Sequence, residues 1–179
     1  MNHLSSSFAF LLAAFASAPA SAQPACTPGT YTAPDGDFVV LVQSPAVAAP
    51  GLRYLFRDGR RGATSEAAVP LTCGTDNVTV KGKAWTPVAF RETPVSFDSV
   101  GTKMTGVLIE PPGAPDAKRP LVVMVHGSER NSPIGGVYGY AMAAQGISVF
   151  VYDKRGTGGS EGEYTQLSLI HISEPTRRS

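Results

Sequence analysis

The sequence predicts an α/β fold preceded by a small β-rich domain, and three observations carry that expectation. Between Thr30 and Phe90, turn signals alternate with short β-type runs and no helical period is sustained. Farther on, two uninterrupted apolar runs, Leu121–Val125 (LVVMV) and Ile147–Tyr152 (ISVFVY), flank a short helix-forming segment. Each apolar run ends in a loop of Gly and polar residues, where ligands of parallel sheets bind.

Composition narrows the function classes. Of 179 residues, 42% are apolar, which suits a globular core, and 16% are charged. A net charge of +1 leaves no basic surface for nucleic acid, so no nucleic-acid partner is expected. Two Cys cannot build a thiolate metal cluster, and no metal or other cofactor is expected.

Residues 1–22 read as a signal peptide. Phe8–Phe15 is an apolar core too short for a bilayer span, and Ala20-Ser21-Ala22 is a small-x-small cleavage site before Gln23. No other run is long enough to span a membrane, so the mature protein is expected to be exported, periplasmic or secreted.

Residues 23–92 form the expected β-rich domain. Asp35-Gly36, Asp58-Gly59, Cys73-Gly74 and Lys81-Gly82 mark turns between runs at Phe38–Val42, Leu52–Phe56, Val78–Lys81 and Val88–Phe90. Cys26 and Cys73 fall in or beside this stretch, and in an oxidising compartment they are expected to pair. Closing a loop of that size stabilises by about 4 kcal/mol in the chain-entropy account.

Residues 93–166 carry the chemistry. Met104–Glu110 reads as a strand closed by Pro111-Pro112-Gly113. Leu121–Val125 ends at His126-Gly127-Ser128-Glu129, Tyr138–Gln145 reads as a helix stopped by Gly146, and Ile147–Tyr152 ends at Asp153-Lys154-Arg155-Gly156-Thr157-Gly158-Gly159-Ser160. A strand–helix–strand unit of this kind calls for parallel strands.

On these two motifs in order, the stretch from Val95 to Gln166 resembles the α/β-hydrolase family, and within it the serine aminopeptidase-like and lysophospholipase-like hydrolases. The resemblance implies an exported serine hydrolase acting on an ester, thioester or peptide bond of a small-molecule or peptide acyl substrate. It implies a truncated α/β-hydrolase half-sheet as the fold, with His126, Gly127, Ser128 and Glu129 as the oxyanion loop. The donor carried over is the N–H of Ser128, with Glu129 as second choice. Asp153, Arg155, Gly156, Gly158 and Ser160 would form a structural loop, with a solvated Asp153/Arg155 charge pair as the alternative.

Gly158-Gly159-Ser160-Glu161-Gly162 matches G-x-S-x-G, yet a nucleophile elbow needs its Ser directly after an apolar strand. Ser160 stands several polar and Gly residues beyond Tyr152, so it is not expected to be a nucleophile. The same glycines miss the G-x-G-x-x-G spacing of dinucleotide binding. Residues 167–179 look foreign: Leu167 to Arg177 resembles the translation of a sequencing adaptor. Of the three His, His3 lies in the signal peptide, His171 in that tail and His126 in the oxyanion loop, leaving no general base. The chain as written is thus expected to lack a catalytic triad. A non-catalytic exported binding protein with a degenerate hydrolase domain is the competing reading.

Exported material should begin at Gln23 and carry a Cys26–Cys73 disulfide. Intact-mass spectrometry under non-reducing conditions checks both, and a retained Met1 or two free thiols would refute them.

Overall fold

A computed structural model describes residues 26–165, apart from positions 45, 46, 48–50, 115, 116, 126 and 128. The stretch read as a signal peptide, Gln23, Gln166 and the adaptor-like tail lie outside the described residues. The described residues form eleven strands and one helix.

The first sheet has seven strands in the order β4-β3-β2-β1-β7-β6-β5, every neighbouring pair antiparallel. They are β1 (Gly29–Thr32), β2 (Phe38–Val42), β3 (Arg53–Phe56), β4 (Arg61–Ala63), β5 (Thr72–Cys73), β6 (Val78–Val80) and β7 (Lys83–Val88). The turn signals sit where the sequence puts them. Gly36, Gly59 and Gly82 all have positive φ, and Lys81 joins Gly82 there (φ 49° and 76°) in the two-residue turn between β6 and β7.

The sheet is curled. Phe56 on β3 and Trp85 on β7 are separated by β2 and β1, so a flat sheet would hold them about 14 Å apart. Their ring centroids are 6.0 Å apart, edge to face. The curl encloses a core of Tyr31, Val39, Leu41, Leu52, Phe56, Val78, Val80 and Trp85. Cys26 and Cys73 pack against this core and are joined by a disulfide, Cα to Cα 5.0 Å. The bond ties the start of the described chain to β5.

The second sheet has the order β10-β11-β9-β8. Its long hairpin, β8 (Arg91–Ser99) and β9 (Thr102–Glu110), pairs in antiparallel register from Arg91↔Glu110 to Ser99↔Thr102. Arg91 and Glu110 form an ion pair across it, N to O 2.7 Å. The hairpin turns at Val100-Gly101, and Val100 takes φ 52°, an unusual conformation for a β-branched residue. β11 (Ser148–Tyr152) pairs antiparallel with β9 and parallel with β10 (Leu121–Met124).

Helix α1 (Val137–Ala143) joins the two sheets. It starts at Gly136 and ends with Gly146 at φ 85°. There the N–H of Gly146 donates to the Ala143 carbonyl and that of Ile147 to Met142, the pattern of a Schellman stop. Ala141, Val137 and Ala144 pack on Phe38, Val40, Val42 and Leu55 of the first sheet. Ala143 and Met142 pack on Ile109, Val149 and Val151 of the second. Tyr140 touches both clusters. Burial raises the Tyr140 phenol to about 12, helped by the charge and hydrogen bond of Glu92.

This architecture corrects the expected fold class. The described residues make a β-rich protein with a curled antiparallel sheet and a single seven-residue helix, not an α/β-hydrolase half-sheet. The physical reason is that a continuous apolar run does not specify what covers it. Such a run needs cover on both faces, and helices over a parallel sheet are only one way to supply it. β2 (FVVLV) is buried at all five positions within an antiparallel sheet. Val39 and Leu41 face the curled interior, while Phe38, Val40 and Val42 face α1. β10 lies at the edge of its sheet. Leu121 and Val123 are 60% and 53% exposed, on the same face as Phe150.

The close approach of α1 to the second sheet depends on Gly139. A Cβ there would lie 3.1 Å from Ile109 Cδ1 and 3.3 Å from Val151 Cγ2. Gly139→Val should therefore destabilise the protein by about 1–3 kcal/mol through overpacking, although Val has the better helix propensity. Urea unfolding measures this, and an unchanged midpoint would show that the helix can move off the sheet.

Candidate functional site

The loops after β10 and β11 are neighbours because those strands are adjacent and parallel, so their carboxyl ends lie on one side of the sheet. Of the oxyanion-loop residues, Gly127 and Glu129 are described, while His126 and Ser128 lie outside the described residues. The Glu129 carboxylate folds back on Gly127, and a Cβ on Gly127 would sit 2.8 Å from its Oε2. From the other loop, Lys154 Nζ donates to the Gly127 carbonyl at 2.8 Å. Lys154 Nζ also lies 4.9 Å from the centre of the Tyr164 ring, a cation–π distance, and the Arg130 guanidinium lies 5.6 Å from it.

The loop from Asp153 to Ser160 is built around a buried carboxylate. Asp153 is 3% exposed, and its Oδ2 accepts the N–H of Gly159 at 2.9 Å. Its own N–H donates to the Thr105 carbonyl on β9. Gly158 sits against this carboxylate at φ 52°, where a Cβ would collide with Asp153 Oδ2. Gly156, at φ 68°, passes equally close to the backbone of Tyr164. These two positions need glycine both for backbone conformation and for space.

Arg155 reaches to the β8–β9 turn, where its Nη2 donates to the Ser99 carbonyl at 2.8 Å. Ser160 is buried, and its hydroxyl is used twice: Oγ donates to the Asp153 carbonyl at 2.7 Å and accepts the Thr105 N–H at 2.9 Å. A hydroxyl proton held by a peptide carbonyl is not being drawn off by a base, and no His stands among the described residues. The arrangement lets Ser160 pin the loop to β9.

Lys154, Thr105 and Tyr164 were not singled out in the sequence. Lys154 lies inside the Asp-Lys-Arg-Gly run, so the motif could have drawn attention to it. Thr105 has no local signal, because its link to Ser160 spans 55 residues. No group of three or more His, Cys, Asp or Glu among the described residues could hold a metal ion. No helix among them is long and apolar enough to cross a membrane.

No protein-family model matches the chain, and no curated protein is significantly similar to it. With the β-rich architecture, this overturns the α/β-hydrolase resemblance drawn from the His-Gly and Asp-x-Arg-Gly motifs. The motifs are short, and each can be satisfied by an apolar strand running into a tight glycine turn on another frame.

Ser160→Ala should cost about 1–3 kcal/mol, since it leaves the Thr105 N–H without its buried acceptor. Thermal or urea unfolding of the variant provides the measurement, and wild-type stability would remove Ser160 from the loop's structural role.

Proposed function

We propose that the chain belongs to an exported hydrolase of ester, thioester or peptide bonds, to which it contributes the loops that hold the reacting carbonyl. The single observation that carries this reading is the Lys154–Gly127 contact between the loops at the carboxyl ends of β10 and β11. Peptide N–H groups fixed in advance at such strand ends can stabilise the oxyanion formed when a nucleophile adds to an acyl carbonyl. Lys154 holds the Gly127 carbonyl from one side. The Cys26–Cys73 disulfide supports the exported location, because such bonds persist in oxidising compartments.

In this proposal the nucleophile and its base are not among the described residues, and Ser160 is structural. A second reading, a non-catalytic exported binding protein, is favoured by the engaged hydroxyl of Ser160.

A fluorophosphonate probe applied to the protein recovered from its own exporting cells separates the two. Under the hydrolase reading one serine other than Ser160 is labelled, and Lys154→Ala slows labelling at least several-fold by loosening the loop. No labelled serine in natively folded material would overturn it and leave the binding reading. Labelling of Ser160 itself would overturn the structural role assigned to that residue.

A further inference from the structure

Away from the loops after β10 and β11, a cleft of about 450 Å³ opens between the first sheet, the start of β8 and helix α1. Its volume is in the range of small-molecule sites. The walls include Leu41, Val42, Val88 and Phe90, and Glu92 is the one charged residue among the described residues that line it.

Two polar groups stand out against those walls. Thr30 lies in register with Val40 on one side and Val88 on the other, so its side chain is on the α1 face of the sheet. It is 3% exposed, lines the cleft, and its hydroxyl has no hydrogen-bond partner. A buried hydroxyl without a partner lowers stability, and Val would fill the same space without that cost. Glu92 is exposed. One of its oxygens accepts the Tyr140 hydroxyl at 3.1 Å, and a carboxylate has further acceptor sites. The Tyr140 ring lies 6.0 Å from that of Phe90, tilted by 30°, so aromatic surface adjoins the carboxylate.

We propose that this cleft binds a small molecule with an ammonium head at Glu92 and Tyr140, an apolar body along Val42 and Val88, and a hydroxyl or carbonyl meeting Thr30 Oγ1. A carboxylate beside aromatic rings favours a cation, and among the described lining residues no basic side chain stands ready for an anionic head. The Thr30 hydroxyl oxygen is closed to solvent in the free protein, and a turn about χ1 brings it to the occupant, where it gains its hydrogen bond.

The test uses ω-amino alcohols of four to six carbons as probes, with the matching alkylamines, alcohols and carboxylates as controls. Binding to the disulfide-bonded protein is followed by calorimetry and by NMR shifts at Thr30, Val88 and Glu92. Amino alcohols should bind best and carboxylates not at all. Glu92→Gln, which keeps an acceptor for Tyr140, should weaken the ammonium compounds about tenfold while leaving the plain alcohols unchanged. Thr30→Val should raise the melting temperature of the free protein, yet erase the advantage of the amino alcohol over the alkylamine. Equal binding of ammonium and carboxylate probes would overturn the proposal and reduce the cleft to an apolar crevice. So would a Thr30→Val variant that binds as the wild type does. Failure of every probe to shift these resonances at about millimolar concentration would mean that water alone fills the cleft.

Discussion

The burial of one short helix between two sheets is the contact on which the rest of this structure depends. Helix α1 has only seven residues, too few to be stable alone in water. It persists because Ala141 and Val137 settle on Phe38, Val40 and Val42 while Ala143 settles on Ile109, Val149 and Val151. Gly139 lets the helix come close enough to β9 and β11 for that second contact to form. Both sheets thereby acquire cover on one face, and the spacing between them opens the cleft beside Thr30 and Tyr140.

The other face of each sheet is treated differently. The first sheet covers its own by curling, with Trp85 and Phe56 meeting across the interior and the Cys26–Cys73 bond at its margin. The second sheet stays open there. Phe97, Phe150 and Tyr152 pack among themselves at 5.9–6.1 Å, and Leu121 and Val123 on the edge strand remain in water beside Phe150. An apolar edge strand with exposed side chains is a template for association, so this side of the molecule is its aggregation-prone one.

The loop after β11 shows how a buried carboxyl group becomes a positioning device. Asp153 holds Gly159 through its carboxylate, and Ser160 returns a hydrogen bond to the Asp153 carbonyl while accepting one from Thr105. The result is a tight loop fastened to β9 at one end and to the β8–β9 turn through Arg155 at the other. Lys154, the residue between these anchors, is left directed at Gly127 on the neighbouring loop. Rigidity here is spent on the relation between two strand ends, which is where the proposed chemistry would need it.

Local features were legible in the sequence because local physics determines them. Asp-Gly and Lys-Gly turns, the runs Phe38–Val42 and Ile147–Tyr152, and the helix stop at Gly146 all follow from backbone preference or side-chain periodicity within a few residues. The Cys26–Cys73 pairing needed only two cysteines and an oxidising compartment. What covers an apolar strand is a different kind of question. Leu121–Val125 and Phe38–Val42 look alike as sequence, yet one is an exposed edge and the other a fully buried centre, because the neighbours that decide burial are distant in the chain. The link from Thr105 to Ser160 and the unpaired hydroxyl of Thr30 belong to the same class. Each depends on which strands lie side by side, and only the tertiary structure decides that.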